Sequence, residues 1–331
     1  MPSISKLRAL ASSARNLATG KPLLAIFEIN LRCNSACGYC ALPLNRGRYE
    51  MTRAEIRAVF ARLSRGGLRI VFVQGGEPTL RPDLVGVLED MCALGLFPVL
   101  VTNGTRLSAA LVARLTRLRM QISVSLDTLD RSRYRQIRGA DQLPRVLEGI
   151  AALQTFAGTK FITCIVSDVN RGDVRGVVAF ARERGFIPVV GAYHWGVGTY
   201  GKKDERLRYE PALAAAVFRE VRDSGEVPAG YYRDYLDDSV RWLSGGSLPP
   251  CDAGRYSVAI DASGNVAPCL AHPAAGNLRK ASLDEILARF DRDAIGRCSR
   301  ASTCNLLCSR VVGTALRRPI SGARTLLSFR P

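Results

Sequence analysis

Histidine is nearly missing from this chain: among 331 residues only His194 and His272 occur. Neither stands near the first group of cysteines, so a zinc knuckle built there would lack its fourth ligand. Long apolar runs are missing too. No stretch approaches the ~18–20 consecutive apolar residues of a membrane span, and the N-terminus has neither an apolar signal core nor a small-residue cleavage site. Those absences predict a cytoplasmic protein. No internal repeat or low-complexity tract interrupts the chain. Lysine is scarce as well, six of 47 cationic residues, so the arginine excess alone is no signal for RNA.

Acids are missing from both ends. Before Glu28 stand Lys6, Arg8, Arg15 and Lys21 with no acid among them, and after Asp293 come seven arginines, again with none. These ends carry eleven of the eighteen excess positive charges. Such segments attract anionic surfaces: lipid headgroups, nucleic acid or a polyphosphate-bearing substrate. In the N-terminal arm Leu7, Leu10, Ala14 and Leu17 share one helical face. That face predicts a helix packed over one end of the folded core, with an interfacial helix as the alternative.

What the chain does have is cysteine, ten of them. Three fall in Cys33-Asn34-Ser35-Ala36-Cys37-Gly38-Tyr39-Cys40, just past an apolar, strand-like run. Three thiolates on one short loop can hold three irons of a cubic [4Fe–4S] cluster and leave the fourth iron open to a small molecule. A thiolate-held cluster also implies a reducing compartment. The plain alternative is three ordinary buried cysteines. Downstream, Gln74-Gly75-Gly76-Glu77-Pro78 follows the apolar run Ile70–Val73. Two glycines let a backbone approach a ligand closely, and the carboxylate of Glu77 can accept hydrogen bonds from an ammonium group.

In these two motifs and their spacing the chain resembles the radical S-adenosylmethionine (radical SAM) superfamily. The resemblance implies that S-adenosylmethionine binds the open iron of the Cys33/Cys37/Cys40 cluster. One-electron reduction, from an external donor such as flavodoxin or ferredoxin, then yields a 5′-deoxyadenosyl radical that abstracts a substrate hydrogen atom. By the same resemblance Tyr39 lies beside the adenine, and the Gly75-Gly76-Glu77-Pro78 segment holds the amino group. Asn103, Ser125 and Asp127 are expected at the ribose and carboxylate, with Arg138 pairing the carboxylate through its planar fork. Turn and cap roles are the plain alternative for each.

From Leu23 to about Asp223 short β-rich runs alternate with helical patterns, the signature of a parallel sheet with crossover helices. The predicted strands are Leu23–Asn30, Arg69–Gln74, Phe97–Thr102, Met120–Leu126, Lys160–Val166 and Phe186–Ala192. The predicted fold class is α/β, a partial (β/α)6 TIM-like barrel with a small C-terminal cysteine-rich unit. The predicted domains are a basic helical arm at 1–22, the barrel at 23–224, a connector at 225–250, the cysteine-rich unit at 251–310 and a basic tail at 311–331. Cys33, Gly75, Asn103, Ser125, Asp127 and His194 each follow a predicted strand, where parallel α/β folds gather their ligands. Beside neighbouring aromatics, His194 is a candidate to bind substrate or move a proton, or else a satisfied structural histidine.

The second cysteine group starts with Cys251-x12-Gly264-x4-Cys269, spanning a predicted hairpin that turns at Asp261–Asn265. It continues as Cys298-x5-Cys304-x3-Cys308. This arrangement is similar to the auxiliary-cluster extension called SPASM and its shortened twitch form. It departs from that pattern at Ile295, where a cysteine is expected, and no cysteine follows Cys308. Five thiols can fill one auxiliary [4Fe–4S] cluster with one to spare. Cys251, Cys269 and Cys308 are the expected ligands, with either Cys304 or Cys298 as fourth; a zinc ribbon is the alternative. A spare thiol could return a hydrogen atom to a carbon radical, and Cys298, Cys304 and Cys164 are candidates. The expected substrate is a small polar metabolite of sugar, nucleoside or aminocyclitol type, oxidised or epimerised. A ribosomal peptide or a lipid comes next. A non-catalytic iron–sulfur sensor that binds nucleic acid through its basic ends is the reading from another class.

Overall fold

The computed structural model of the chain describes residues 4–45, 47–194 and 204–328. Six parallel strands form the frame: β1 Leu24–Glu28, β2 Ile70–Gln74, β3 Phe97–Thr102, β4 Gln121–Ser125, β5 Lys160–Val166 and β6 Ile187–Ala192. Preceding and intervening helices are α1 Ile4–Thr19, α2 Arg53–Arg65, α3 Leu84–Ala93, α4 Ala109–Leu115, α5 Arg131–Arg138, α6 Leu143–Ala152 and α7 Val174–Glu183. Every predicted strand forms, trimmed by at most two residues at an end. The start of α2 shows why such elements were readable: Thr52 accepts from Glu55 N, and the Glu55 carboxylate accepts from Thr52 N at 2.9 Å. This reciprocal box satisfies two helix-end donors at once. Helix α5 was not predicted; Asp130 caps its start through Arg133 N, and Gly139 ends it with positive φ.

Apolar residues cover both faces of these strands, as a buried parallel sheet requires. On the helix side Phe27, Val73, Val124, Ile162 and Val166 join one continuous core. On the inner side Leu24 and Ile26 pack with Ala259, Leu270, Phe72, Cys308 and Val311. Side chains alternate between the faces with a period of two, so position along a strand tells which layer a residue serves.

The C-terminal unit does more than sit beside the barrel. Its strands β7 Ser257–Ile260, β8 Asn265–Ala267 and β9 Gly276–Asn277 extend the same sheet, in the order β6-β5-β4-β3-β2-β1-β7-β8-β9. Strand β7 pairs parallel with β1, from Leu24 opposite Ser257 to Phe27 opposite Ile260. The predicted hairpin is therefore the continuation of the open barrel edge. It is held by Asp261, whose carboxylate accepts from Ser263 N, Asn265 N and the Asn265 side chain.

Helices α8 Pro211–Asp223 and α9 Tyr231–Leu243 follow the barrel, and α10 Leu283–Ala288, α11 Arg292–Arg300, α12 Val311–Arg317 and α13 Pro319–Ser328 complete the chain. Several basic residues at the ends have structural work. Arg310 is buried and donates to the carbonyls of Pro249 and Cys304; Arg317 pairs with buried Asp252, and Arg318 with Asp238. At the other end Asn16, buried in α1, donates to the carbonyls of Pro22 and Gly66, and the Tyr256 hydroxyl donates to Leu17 O. The arm is thus packed over the N-terminal end of the barrel strands, but the contacts seen are those of Asn16 and the Leu17 carbonyl rather than of the expected apolar face: Ala14 is exposed and Leu17 half-buried, and the Leu7 and Leu10 side chains lie outside the described residues. Among the described residues no helix is long and apolar enough to cross a membrane.

Candidate functional site

The first cysteine loop leaves β1 and is fastened on two sides. Ala36 N donates to Arg138 O at 2.9 Å and Gly38 N to Ile137 O at 3.0 Å, which ties the loop to the end of α5. On the other side Asn103 donates to the Asn34 side chain, Asn34 donates to Thr105, and Gln142 donates to Asn34 O. Loops carry function when a rigid frame positions them; here the frame comes from the end of β3, the end of α5 and the start of α6.

The Gly75-Gly76-Glu77 segment crosses the start of this loop. Gly76 N donates to Asn30 O and Glu77 N to Arg32 O. Gly75 has positive φ, and a Cβ on either glycine would run into backbone atoms of Asn30, Leu31 or Arg32. The glycines thus permit close approach of two protein segments, a use the sequence reading gave to a ligand. Glu77, 1% exposed, accepts from Thr79 N, Thr79 Oγ1 and Thr102 Oγ1 through Oε1 and from Asn103 N through Oε2. Its carboxylate joins the ends of β2 and β3. Thr102, which reasoning from sequence passed over, is part of that joint. Pro78 starts the short helical turn that follows.

Asp127 and Arg138, expected to contact a ligand separately, pair with each other at 2.6 Å and are almost fully buried. Asp127 also accepts from Ile165 N. The Arg138 guanidinium lies over the Tyr39 ring at 5.6 Å, and the Tyr39 hydroxyl reaches Asp127 at 3.5 Å. One Arg138 donor, Nε, is buried with no partner among the described residues. Ser125 ends β4 two residues before Asp127 and is part-buried.

Two candidates take other roles. Cys164 belongs to the helix-facing core, and its thiol contacts Asp127 O and Asn170; it is turned away from the inner face and drops out as a hydrogen donor. At His194 the ring stacks on Trp242, Nε2 accepts from Asn305 N at 3.0 Å, and the other nitrogen is bonded to the Ala192 backbone. Both nitrogens are occupied, so His194 joins the end of β6 to the C-terminal unit and is no substrate contact. The expected neighbour Trp195 lies outside the described residues.

Two family descriptions match this layout. The Radical SAM superfamily matches residues 27–181, and the iron–sulfur cluster-binding domain called SPASM matches residues 251–309. A protein of Methanothermobacter thermautotrophicus named "Probable GTP 3',8-cyclase" is 31% identical over 265 residues, 76% of this chain and 85% of that protein. The chain belongs to the radical SAM superfamily. Another relative, "GTP 3',8-cyclase 1" of Pseudomonas aeruginosa, is 29% identical over 75% of this chain and 79% of its own. The match to the Pyrococcus horikoshii protein named "Probable GTP 3',8-cyclase" is 31% identical and covers 50% of this chain and 54% of that protein, so the chain spans about half the length of some curated relatives it matches. In fold it is similar to Streptococcus suis SuiB bound to S-adenosylmethionine, with TM-score 0.68, 17% identity, and 84% of this chain and 68% of that one covered. It is likewise similar to anSMEcpe with bound AdoMet, with TM-score 0.64, 18% identity, and 84% and 83% covered.

A radical SAM protein with a SPASM unit carries a SAM-binding [4Fe–4S] cluster and auxiliary iron–sulfur chemistry, and the thiols here suit both. At the first loop burial, then the neighbouring thiols Cys37 and Cys33 and the Glu28 carboxylate, push Cys40 up to about 12. Cys33 is raised chiefly by burial, while Ser35 N donates to its sulfur. In the second group burial pushes Cys269 up to about 12 and Cys304 and Cys308 up to about 11, with nearby thiols adding to each. Crowded thiols that raise one another are what a cation-binding set looks like without its cation, since a bound metal makes such thiols ionise. Ala271 N donates to Cys269 Sγ as Ser35 N does to Cys33, the kind of bond that tunes cluster potentials. Cys251 and Cys304 lie close enough to interact electrostatically with all the other thiols of the group, whereas Cys298 interacts with Cys251, Cys269 and Cys304. Cys298 stands on α11 with its sulfur 2.9 Å from the Thr303 hydroxyl. Among the described residues no three His, Cys, Asp or Glu side chains converge as ligands of a single ion would.

Proposed function

We propose that this radical SAM enzyme takes a hydrogen atom from a small polar metabolite and completes an oxidation or epimerisation. The observation that carries this reading is the meeting of the cysteine loop, the Gly75–Pro78 segment and the Asp127–Arg138 pair at one end of one sheet. When bound, the first cluster supplies the electron that cleaves S-adenosylmethionine to the 5′-deoxyadenosyl radical. In this reading Cys33, Cys37 and Cys40 hold that cluster. Arg138, fixed by Asp127, keeps Nε free for an anionic group such as the amino-acid carboxylate. Tyr39 lends an aromatic face beside the same arginine. Glu77 acts by fixing Asn103 and the ends of β2 and β3. Cys251, Cys269, Cys304 and Cys308 hold one auxiliary cluster, and Cys298 is the spare thiol. A small external one-electron donor such as flavodoxin or ferredoxin completes the system.

The relatives' printed name makes GTP the first compound to test within the polar-metabolite class. Anaerobic protein with reconstituted clusters, SAM and dithionite is expected to release methionine and 5′-deoxyadenosine. With deuterated GTP, mass spectrometry then reads whether deuterium enters 5′-deoxyadenosine. Absence of reductant-dependent SAM cleavage would overturn the reading; cleavage without transfer from GTP moves the search to sugars and aminocyclitols.

A further inference from the structure

A cavity of about 520 Å3 opens between β1, the segment after Cys40, and the β7–β8 hairpin with the residues past Cys269. Glu28 forms part of its wall, with Asn45 and Arg48 on one side and Asp261 and His272 on the other. Along the inner face of β1 the series runs Leu24, Ile26, Glu28, and the first two are packed in apolar contact. A third apolar residue would continue that layer, so the carboxyl breaks the pattern at the point where the cavity begins. Glu28 is only 4% exposed, and its buried Oε1 has no hydrogen-bond partner among the described residues. The neighbouring acid differs: Asp261 is occupied by three donors of its own turn. Burial, with Asp261 adding to it, pushes the Glu28 carboxyl up to about 8.

A buried carboxyl without a partner is costly, and such groups in folded proteins call for a bound species that completes them. In its ionised form the carboxyl only accepts hydrogen bonds, and a donor that carries positive charge is the species that would hold it in that form. Arg48, at the exposed rim, makes no ion pair among the described residues. The cavity therefore runs from an acid inside to a base outside.

We propose that this cavity receives the nitrogen-donor end of the substrate, an amine, a guanidine or the amino edge of a purine, and that Glu28 is the residue that selects it. The proposal rests on the radical SAM reading given above and adds the chemical class of the group recognised. It predicts that a carboxylate or phosphate end is turned outward, toward Arg48.

The test is a binding measurement on anaerobic holoprotein with SAM and no reductant, so its result stands apart from the 5′-deoxyadenosine assay. Propylguanidinium and propionate serve as probes in ligand-observed NMR titrations. The wild-type protein is expected to hold propylguanidinium at least about tenfold more tightly than propionate, the worth of one charge-assisted hydrogen bond. Glu28→Gln is expected to remove that preference. Equal affinities in the wild type, or a preference that survives Glu28→Gln, would overturn the proposal. Ala271→Trp, on the exposed side of the cavity lining, provides a second variant should Glu28→Gln fail to fold. It is expected to block propylguanidinium with Glu28 intact, and unchanged binding in this variant overturns the proposal as well.

Discussion

The two thiol groups are built in opposite ways. Cys33, Cys37 and Cys40 lie within eight consecutive residues on one loop, whose conformation is set by bonds from Ala36 and Gly38 to the end of α5. The second group is gathered from the ends of a hairpin, a helix and two later turns, and it is held together by long-range contacts: β7 pairs with β8 and with β1, Cys251 N donates to Ser299 beside Cys298, and Arg310 ties Pro249 to Cys304. A local loop can declare its chemistry by spacing alone. A group assembled by topology cannot, and it depends on long-range contacts whose closure costs entropy.

The largest effect expected from breaking this contrast is at the local loop. Cys33/Cys37/Cys40→Ala protein should release no 5′-deoxyadenosine while retaining about four irons per chain, those of one remaining [4Fe–4S] cluster. Iron and sulfide analysis checks this, and about zero residual iron would show that the second group holds no cluster. Cys251→Ser is the converse: iron falls by about four per chain, while reductive SAM cleavage continues. Within the second group Cys304→Ser should lose the auxiliary cluster and Cys298→Ser should keep it, because Cys304 neighbours both halves of the set. An intact cluster in Cys304→Ser would assign the fourth place to Cys298 instead.

The same contrast explains what the sequence made legible. The strands and most helices of the barrel could be read because apolar period, caps and turn residues agree locally, as at Thr52 and Glu55. The C-x3-C-x2-C loop and Gly75–Pro78 were legible for the same reason. The parallel pairing of β7 with β1 was not, since residues more than two hundred positions apart carry no mutual periodicity. Nor was the use of polar residues on each other. Asp127 and Arg138 each looked like a ligand contact, but their distance is fixed by α5, which eight residues, half of them arginine, concealed. Glu28 did leave a signal, an acid inside an apolar strand run, and it was passed over for the motifs beside it.

Smaller effects sharpen the account of the first site's frame. Gly76→Ala places a methyl group against the Arg32 carbonyl. Neither backbone segment can yield without breaking the Glu77 N to Arg32 O bond, so destabilisation on the order of 3 kcal/mol or more is expected, read as a lower denaturant midpoint. Asp127→Asn leaves Arg138 buried without its counter-charge. Removing one partner of a buried pair costs about 3–5 kcal/mol, so the variant should lose thermal stability even without SAM. A midpoint within a degree or two of wild type would mean that the pair is open to water.

The smallest effect concerns the link between the two regions. His194 joins the end of β6 to Asn305, beside Cys304, and burial pushes its imidazole down to about 4 from the ordinary 6.5. The folded state therefore binds fewer protons than the unfolded state between those values, and stability rises with pH across that range. The contribution is whole above about pH 6.5 and is lost as pH falls through 6.5 toward 4. Between pH 7 and pH 5 the loss is about 2 kcal/mol. Urea unfolding of wild type and His194→Gln at both pH values isolates it from the carboxylates common to the two proteins. The difference between them should shrink at pH 5, because protonation removes from the wild type what the substitution has already removed. If instead the two unfolding curves keep the same separation at both values, the histidine is not held neutral, and the β6 end is joined to the C-terminal unit by its other contacts alone.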